Sequence, residues 1–363
     1  MRRWRPTRRR QHALVAALCV LVLVGCTSSS KSSESSEPSK SSEPSEPSQS
    51  SDKTTEAAPA VTEPTVVVDR LSGPTQFTDG PGTWLLIAQL DGDEDAMTGQ
   101  VLAVDPVTDK RVVLYENLDK PTGVAWLNGF VWIMERRRLV RGEWRGAGTT
   151  PSPLTVMVED LPFNGRSEGT LTVTPDNRIL YETTGSISNG EVVDGSGTLW
   201  VFDPLTKTSS KVATGLKNAY AHVFLPDGRL LTTEIGDNID AAPVEEVNVL
   251  PYSGPAGPSV DAGWPACPGD KDCDGVVTPI ATFDRNSTPT GITIDGTSAY
   301  VALLVTGEIH RLSLKNAGTT RAKTTVIASG FQGPHSILSR PDGTLWISEH
   351  YADRIVSIMT EQP

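Results

Sequence analysis

Long apolar runs are nearly missing from this 363-residue chain. The one such run, Ala13 to Val24, is shorter than the ~20 helical residues that a bilayer crossing needs. Histidine (five) and cysteine (four) are scarce, and no clustered thiols and imidazoles offer an ordinary zinc site. Basic residues are outnumbered 32 to 44, so the field of the chain does not favour nucleic acid. No P-loop, G-x-S-x-G or G-x-G-x-x-G stretch occurs in a usable context, which removes the common phosphate-cradling and serine-nucleophile chemistries. Helical periodicity is also nearly absent, and a helical solenoid is excluded with it.

Residues 1–25 combine Arg2, Arg3, Arg5, Arg8, Arg9 and Arg10 with the short apolar run and Gly25, the pattern of a signal peptide. Leu23-Val24-Gly25-Cys26 reads as a lipobox, which predicts cleavage before Cys26, its acylation, and an extracytoplasmic chain held to the membrane by lipid alone. Six of the 32 basic residues and none of the 44 acidic ones leave with that segment, so the net charge moves from −12 to −18. Residues 27–64 are almost wholly Ser, Glu, Pro, Lys and Thr, too polar to bury a core. With Cys26 they form a disordered tether spanning about 35 Å.

From Thr65 to Pro363 one pattern recurs six times: Gly or Pro, an alternating apolar stretch, a tight turn, then a second apolar strand. The turns centre on Gly82, Gly129, Asn177, Gly228, Gly296 and Gly343. A third strand follows, as in GQVLAVDP and GTLWVFDP, and a fourth, as in RVVLYENL and TVIASGF. Four strands at this spacing make a propeller blade. The chain opens on TVVVDRL, a fourth-strand pattern, and closes on RIVSIM, a third-strand pattern. The prediction is an all-β, six-bladed propeller of four-stranded blades, closed by the N-terminal strand joining the last blade.

One gap is oversized, and it holds an insertion at about residues 251–278 with Cys267 and Cys273. Once Cys19 departs with the signal and Cys26 takes lipid, this pair in an oxidising compartment predicts a short-loop disulfide. Asp270, Asp272, Asp274 and Gly275 open like a calcium loop, but Ala281 stands where the closing Glu belongs. Asp91, Asp93, Glu94 and Asp95 read as a solvated acidic turn.

TEIGDNIDAAPVEEVNVL, DAGWPACPG and TPIATFDRNSTPTGITI resemble the glucose/sorbosone dehydrogenase family of soluble quinoproteins. The resemblance covers all six copies and is most specific from Lys217 to Ile294. It implies a six-bladed propeller that binds pyrroloquinoline quinone (PQQ) and Ca²⁺ at its mouth and oxidises sugars or polyols. It places carbonyls of a Ca²⁺ site on Gly236 and Asp237, behind Glu234. It places an acidic pair of a structural Ca²⁺ site on Glu245 and Glu246, before Asn248, and quinone contacts on Lys217 and Asn218. Where the family has its histidine base this chain has Arg166, which cannot take a proton at neutral pH. A cofactor lysine falls near Val305, and a pair of arginines near Gly333 and His335.

Read without the family, the starts of the innermost strands ring the channel of any propeller. Those positions are Thr75, Thr122, Arg166, Glu168, Lys217, Asn218, Tyr220, Thr290 and His335. Arg166, Glu168 and His335 are the catalytic candidates, since a carboxyl in a dry channel can have a raised pKa and replace the lost base. Lys217, Asn218 and Tyr220 are the cofactor-binding candidates. Arg166, Glu168 and Lys217 could instead form a satisfied ion network. His222 on an inner strand reads as a packed, hydrogen-bonded histidine, and His350 at the end of a second strand fits either that or a place at the channel. The expected partner is a sugar or other polar small molecule. The alternatives are a non-catalytic glycan- or protein-binding propeller and a metal-dependent lactonase.

Overall fold

Leu85, Leu86, Ile87 and Ala88 are consecutive and all buried, which a strand permits only when both faces of its sheet are covered. Leu85 and Ile87 pack toward Val68 and Ile355, whereas Leu86 and Ala88 pack toward Val124, Val131 and Ile133. The computed structural model describes residues 63–165, 168–236, 245–267, 273–315, 317 and 321–360. All lie in the second of two units, Ala58–Pro363. The predicted signal peptide, Cys26 and nearly all of the tether lie outside the described residues.

Six small sheets form a ring, a six-bladed propeller, and no helix occurs among the described residues. From the channel outward, blade 1 comprises Pro74–Asp79, Leu85–Gln89, Gly99–Asp105 and Lys110–Leu118. Blade 2 comprises Gly123–Leu127, Phe130–Glu135, Arg138–Glu143 and Thr155–Val158. Blade 3 comprises Thr172–Val173, Ile179–Thr183, Thr198–Asp203 and Thr208–Thr214. Blade 4 comprises His222–Phe224, Leu230–Glu234, Glu245–Leu250 and Ala281–Phe283. Blade 5 comprises Pro289–Asp295, Ser298–Leu303, Glu308–Ser313 and Thr324–Ser329. Blade 6 takes Pro334–Ser339, Thr344–Glu349 and Arg354–Met359 from the end of the chain and Thr65–Val68 from its start, with Thr65 opposite Ser357. The closure expected from the sequence is therefore present. All six turn residues between first and second strands have positive φ, including Asn177 at 62°.

Each pair of neighbouring blades encloses its own apolar cluster. The channel itself is crossed by a polar side chain. Gln76 of blade 1 accepts hydrogen bonds from the amides of Val124 (2.7 Å) and Leu171 (2.9 Å) and donates to the Leu171 carbonyl (2.8 Å). Blades 1, 2 and 3 are thus joined at the axis.

The insertion departs from the four-strand expectation. Val260–Asp261 pairs in parallel with the outer strand of blade 3, Ala213 opposite Val260, and makes that sheet five-stranded. Main-chain groups left at the edge of blade 3 thereby gain partners. Cys267 and Cys273 are bonded, as expected. Of the D-x-D-x-D-G stretch, Asp270 and Asp272 lie outside the described residues.

Candidate functional site

Connections from second to third strands, and from each blade to the next, converge on one end of the channel. There they surround a cavity of about 290 Å³. Thr75, Thr122, Asn218, Tyr220, Thr290 and His335 line it, as their places at strand starts predicted. The threonine hydroxyls also join blades: Thr75 donates to the Pro121 carbonyl (3.0 Å), Thr122 to Gly169 (3.2 Å) and Thr290 to Pro334 (3.3 Å).

Glu94, Lys120, Glu245, Asn286, Thr288, His350 and Tyr351 also line the cavity. Glu94 is therefore more than a solvated turn; its carboxylate pairs with the buried ammonium of Lys120. Lys120 is the only lysine or arginine among the described lining residues, and Glu94 cancels its charge. Glu245 accepts the amide of Asn286 (3.1 Å). The sequence signal for the missed residues was positional, because Glu94, His350 and Tyr351 follow second strands and so must lie at this end of the ring.

At the cavity wall the hydroxyl of Tyr220 lies 3.2 Å from Nε2 of His335. Burial pushes the Tyr220 pKa up, helped by the charges of Glu182, Glu94 and Glu168. Burial holds that of His335 well below the ordinary histidine value, helped by His350. Phenol and imidazole are thus both neutral, and one hydrogen is shared between them. His222 does not reach this cavity; it is buried lower in the channel beside Thr172 (3.2 Å from its Nδ1), and burial lowers its pKa to about 3.

Glu168 is fully buried and absent from the lining. Its Oε2 accepts the amide (2.8 Å) and lies near the hydroxyl (3.0 Å) of Thr184, which also lies 3.2 Å from Oε1 of Glu182. One hydroxyl hydrogen cannot serve two carboxylates, so a carboxyl proton completes the arrangement. Burial pushes the Glu168 pKa up to about 8 against the pull of Lys120. Glu182 is raised well above the ordinary range by burial and by Glu168. The raised pKa was expected, but the carboxyl is engaged below the mouth. Arg166, the other catalytic candidate on this stretch, lies outside the described residues.

Lys217 does not line the cavity. Its ammonium donates to the Gly185 carbonyl (2.8 Å) and sits 4.9 Å from the ring centroid of Trp264 in the insertion. This position, predicted to contact cofactor, joins blade 3 to the insertion.

Blade 4 differs from its sisters in charge. At the end of the second strand, Glu135 and Glu349 each accept the amide that opens their blade, from Asp119 (2.8 Å) and Gln332 (2.8 Å). Glu234 does the same with Lys217 (2.6 Å). Opposite Glu135 and Glu349 on the third strand stand Arg138 and Arg354, each bonded through Nε at 2.5 Å. Opposite Glu234 stands Glu246. Glu246 accepts from Asn248 (3.0 Å), while Oε2 of Glu234 and Oδ1 of Asn248 are buried without hydrogen-bond partners among the described residues. Burial and the charge of Glu246 push the Glu234 pKa well up. Two facing carboxylates in a dry site need a proton or a cation. Gly236 lies just beyond Glu234, Asp237 lies outside the described residues, and no group of three or more His, Cys, Asp or Glu side chains is placed to hold a metal among the described residues.

No protein-family model and no curated protein matches the chain. Solved structures do. The PQQ-bound aldose sugar dehydrogenase from Streptomyces coelicolor superposes with a TM-score of 0.68 at 18% identity, over 81% of this chain and 96% of that one. The fold is that of soluble sugar dehydrogenases. The calcium structure of a Trichoderma reesei carbohydrate-active enzyme of family AA12 gives 0.66 at 15% identity, over 83% and 97%. The holo PQQ domain of pyranose dehydrogenase from Coprinopsis cinerea gives 0.63 at 13% identity, over 83% and 97%. At these identities what this propeller shares with them is architecture.

Proposed function

We propose that the chain is a lipid-anchored, extracytoplasmic propeller that binds a neutral sugar or polyol in its mouth cavity and holds a Ca²⁺ ion between Glu234 and Glu246. One observation carries the sugar reading: hydroxyl, amide, phenol and imidazole groups dominate the polar lining, and its one described lysine is cancelled by Glu94, which leaves Glu245 as the one further carboxylate. Such a lining hydrogen-bonds neutral hydroxyls without demanding a charge. A volume of about 290 Å³, at the low end of the ~300–1,000 Å³ usual for ligand sites, suits one sugar unit. The orphaned oxygen of Glu234 supports the ion, as does Glu246 standing where blades 2 and 6 have Arg138 and Arg354.

PQQ, the cofactor of two of the similar structures, fits the described lining poorly. It carries three carboxylates, and the cavity presents Glu94 and Glu245 beside a single neutralised cation. No redox step is assigned here. A quinone-dependent sugar oxidase is the second reading, favoured because Asn218 and Tyr220 do line the mouth.

Titration of the purified protein with aldoses and polyols, followed by incubation with Ca²⁺ and PQQ and a dye-reduction assay, separates the readings. Sugar binding without quinone uptake is expected. Quinone uptake with sugar-dependent dye reduction favours the second reading, and absence of sugar binding and of dye reduction removes both. For the anchor, Cys26→Ser is expected to release the protein from membranes and to abolish labelling by a fatty-acid probe.

A further inference from the structure

His350 and Tyr351 lie side by side at the cavity, and neither is used by the arrangement described so far. Nδ1 of His350 lies 3.1 Å from the carbonyl oxygen of Pro74. A carbonyl only accepts, so that acceptor assigns the hydrogen to Nδ1 and leaves a lone pair on Nε2. The other imidazole on the lining, His335, already has its Nε2 engaged with the Tyr220 hydroxyl.

Both rings are held in place by backbone. The amides of His350 and Tyr351 donate to the carbonyls of Gly333 (2.8 Å) and Gln332 (3.1 Å). A Cβ on Gly333 would fall 2.5 Å from Cδ2 of Tyr351, and one on Gly73 would fall 3.2 Å from Cε1 of His350. The His350 ring is flanked by His335 at 5.4 Å and by Tyr351 at 5.1 Å, the latter edge to face. Yet Tyr351 is 64% exposed. An immobilised aromatic ring with an open face beside a fixed acceptor is a preorganised contact surface.

We infer that His350 and Tyr351 are the specificity-determining pair of the mouth: the C–H face of a sugar ring or polyol chain lies on Tyr351, and an adjacent ligand hydroxyl donates to Nε2 of His350. The aliphatic hydrogens of a sugar face carry slight positive charge and meet the negative face of the phenol ring. This deepens the sugar-binding reading and rests on it. The recognised ligand has a hydroxyl beside an apolar ring face, as pyranoses do; a carboxylate or phosphate would bring no hydrogen for Nε2.

Calorimetric titration of the full chain with D-glucose, D-galactose, D-mannose and sorbitol tests the pair. The best of these sugars is expected to bind His350→Phe about tenfold more weakly, and His350→Gln, which restores an acceptor, only a few-fold. Tyr351→Ser should also cost about tenfold and Tyr351→Phe about twofold at most. Gly333→Ala, which pushes a methyl group into the Tyr351 ring without touching ligand, should weaken binding as well; near-ultraviolet circular dichroism confirms that each variant is folded. If the wild type binds sugar and the folded His350→Phe, Tyr351→Ser and Gly333→Ala variants bind equally well, the pair is overturned while the sugar reading stands. If the wild type binds none of the four, both are overturned.

Discussion

Glu168 and Glu182 hold their protons more tightly in the folded chain than in the unfolded one. Between the ordinary carboxyl value of 4.5 and the value of about 8 for Glu168, the folded state therefore binds more protons, and stability falls as pH rises through that window. Denaturant unfolding at pH 5 and pH 8 should show this loss, and Glu168→Gln should flatten it; an unchanged slope would place the proton elsewhere. Glu246 gives a second residue-scale expectation. Excess Ca²⁺ should raise the melting temperature of the wild type, whereas Glu246→Arg, which supplies the partner found opposite Glu135 and Glu349, should melt higher in chelator and lose the Ca²⁺ response. Residues at strand starts, such as Asn218, Tyr220 and His335, were legible because the repeat fixes where a strand starts. His350 and Tyr351 were legible only in which end of the ring they occupy, since the segments after second strands share no motif that marks a lining residue. Glu182 was hidden for another reason: it occupies a buried second-strand position where blades 4 and 6 have Thr233 and Ser348, and no periodicity marks that exchange.

Blades are stable here as layers that each lend one face to two neighbours. Trp132 is 1% exposed and tilts against Phe202 of blade 3 at 5.7 Å, so its removal opens a cavity between two sheets. Trp132→Ala should cost about 3–5 kcal/mol in denaturant melts, a loss that an exposed aromatic would not produce. Period-2 patterning and turn residues made the blades readable, because each strand must satisfy both covered faces and each turn needs a positive φ. The insertion was readable in length but not in destination. Its two-residue pairing with blade 3 is fixed by where an open edge happens to be, and Lys217 follows it by seating its ammonium over Trp264.

At the scale of the whole molecule, the ring brings the loops of all six blades to one end, and a cup rich in hydroxyl groups is the product of that architecture. The six-bladed ring was legible, whereas the charge balance of the cup was not, because Glu94 and Lys120 come from different blades and meet only once blades 1 and 2 have packed. Thr65 faces Ser357, and this pairing carries a temporal consequence. The first strand to be synthesised must wait, without its mate, until nearly the last residue has followed it. Contacts between such distant residues are slow to form, since the search includes every blade in between. A circular permutant that starts at Pro74 and carries Thr65–Val68 after Met359 should refold faster in stopped-flow experiments and keep the same sugar affinity. In the natural order, the newly made polypeptide spends its youth as an open crescent.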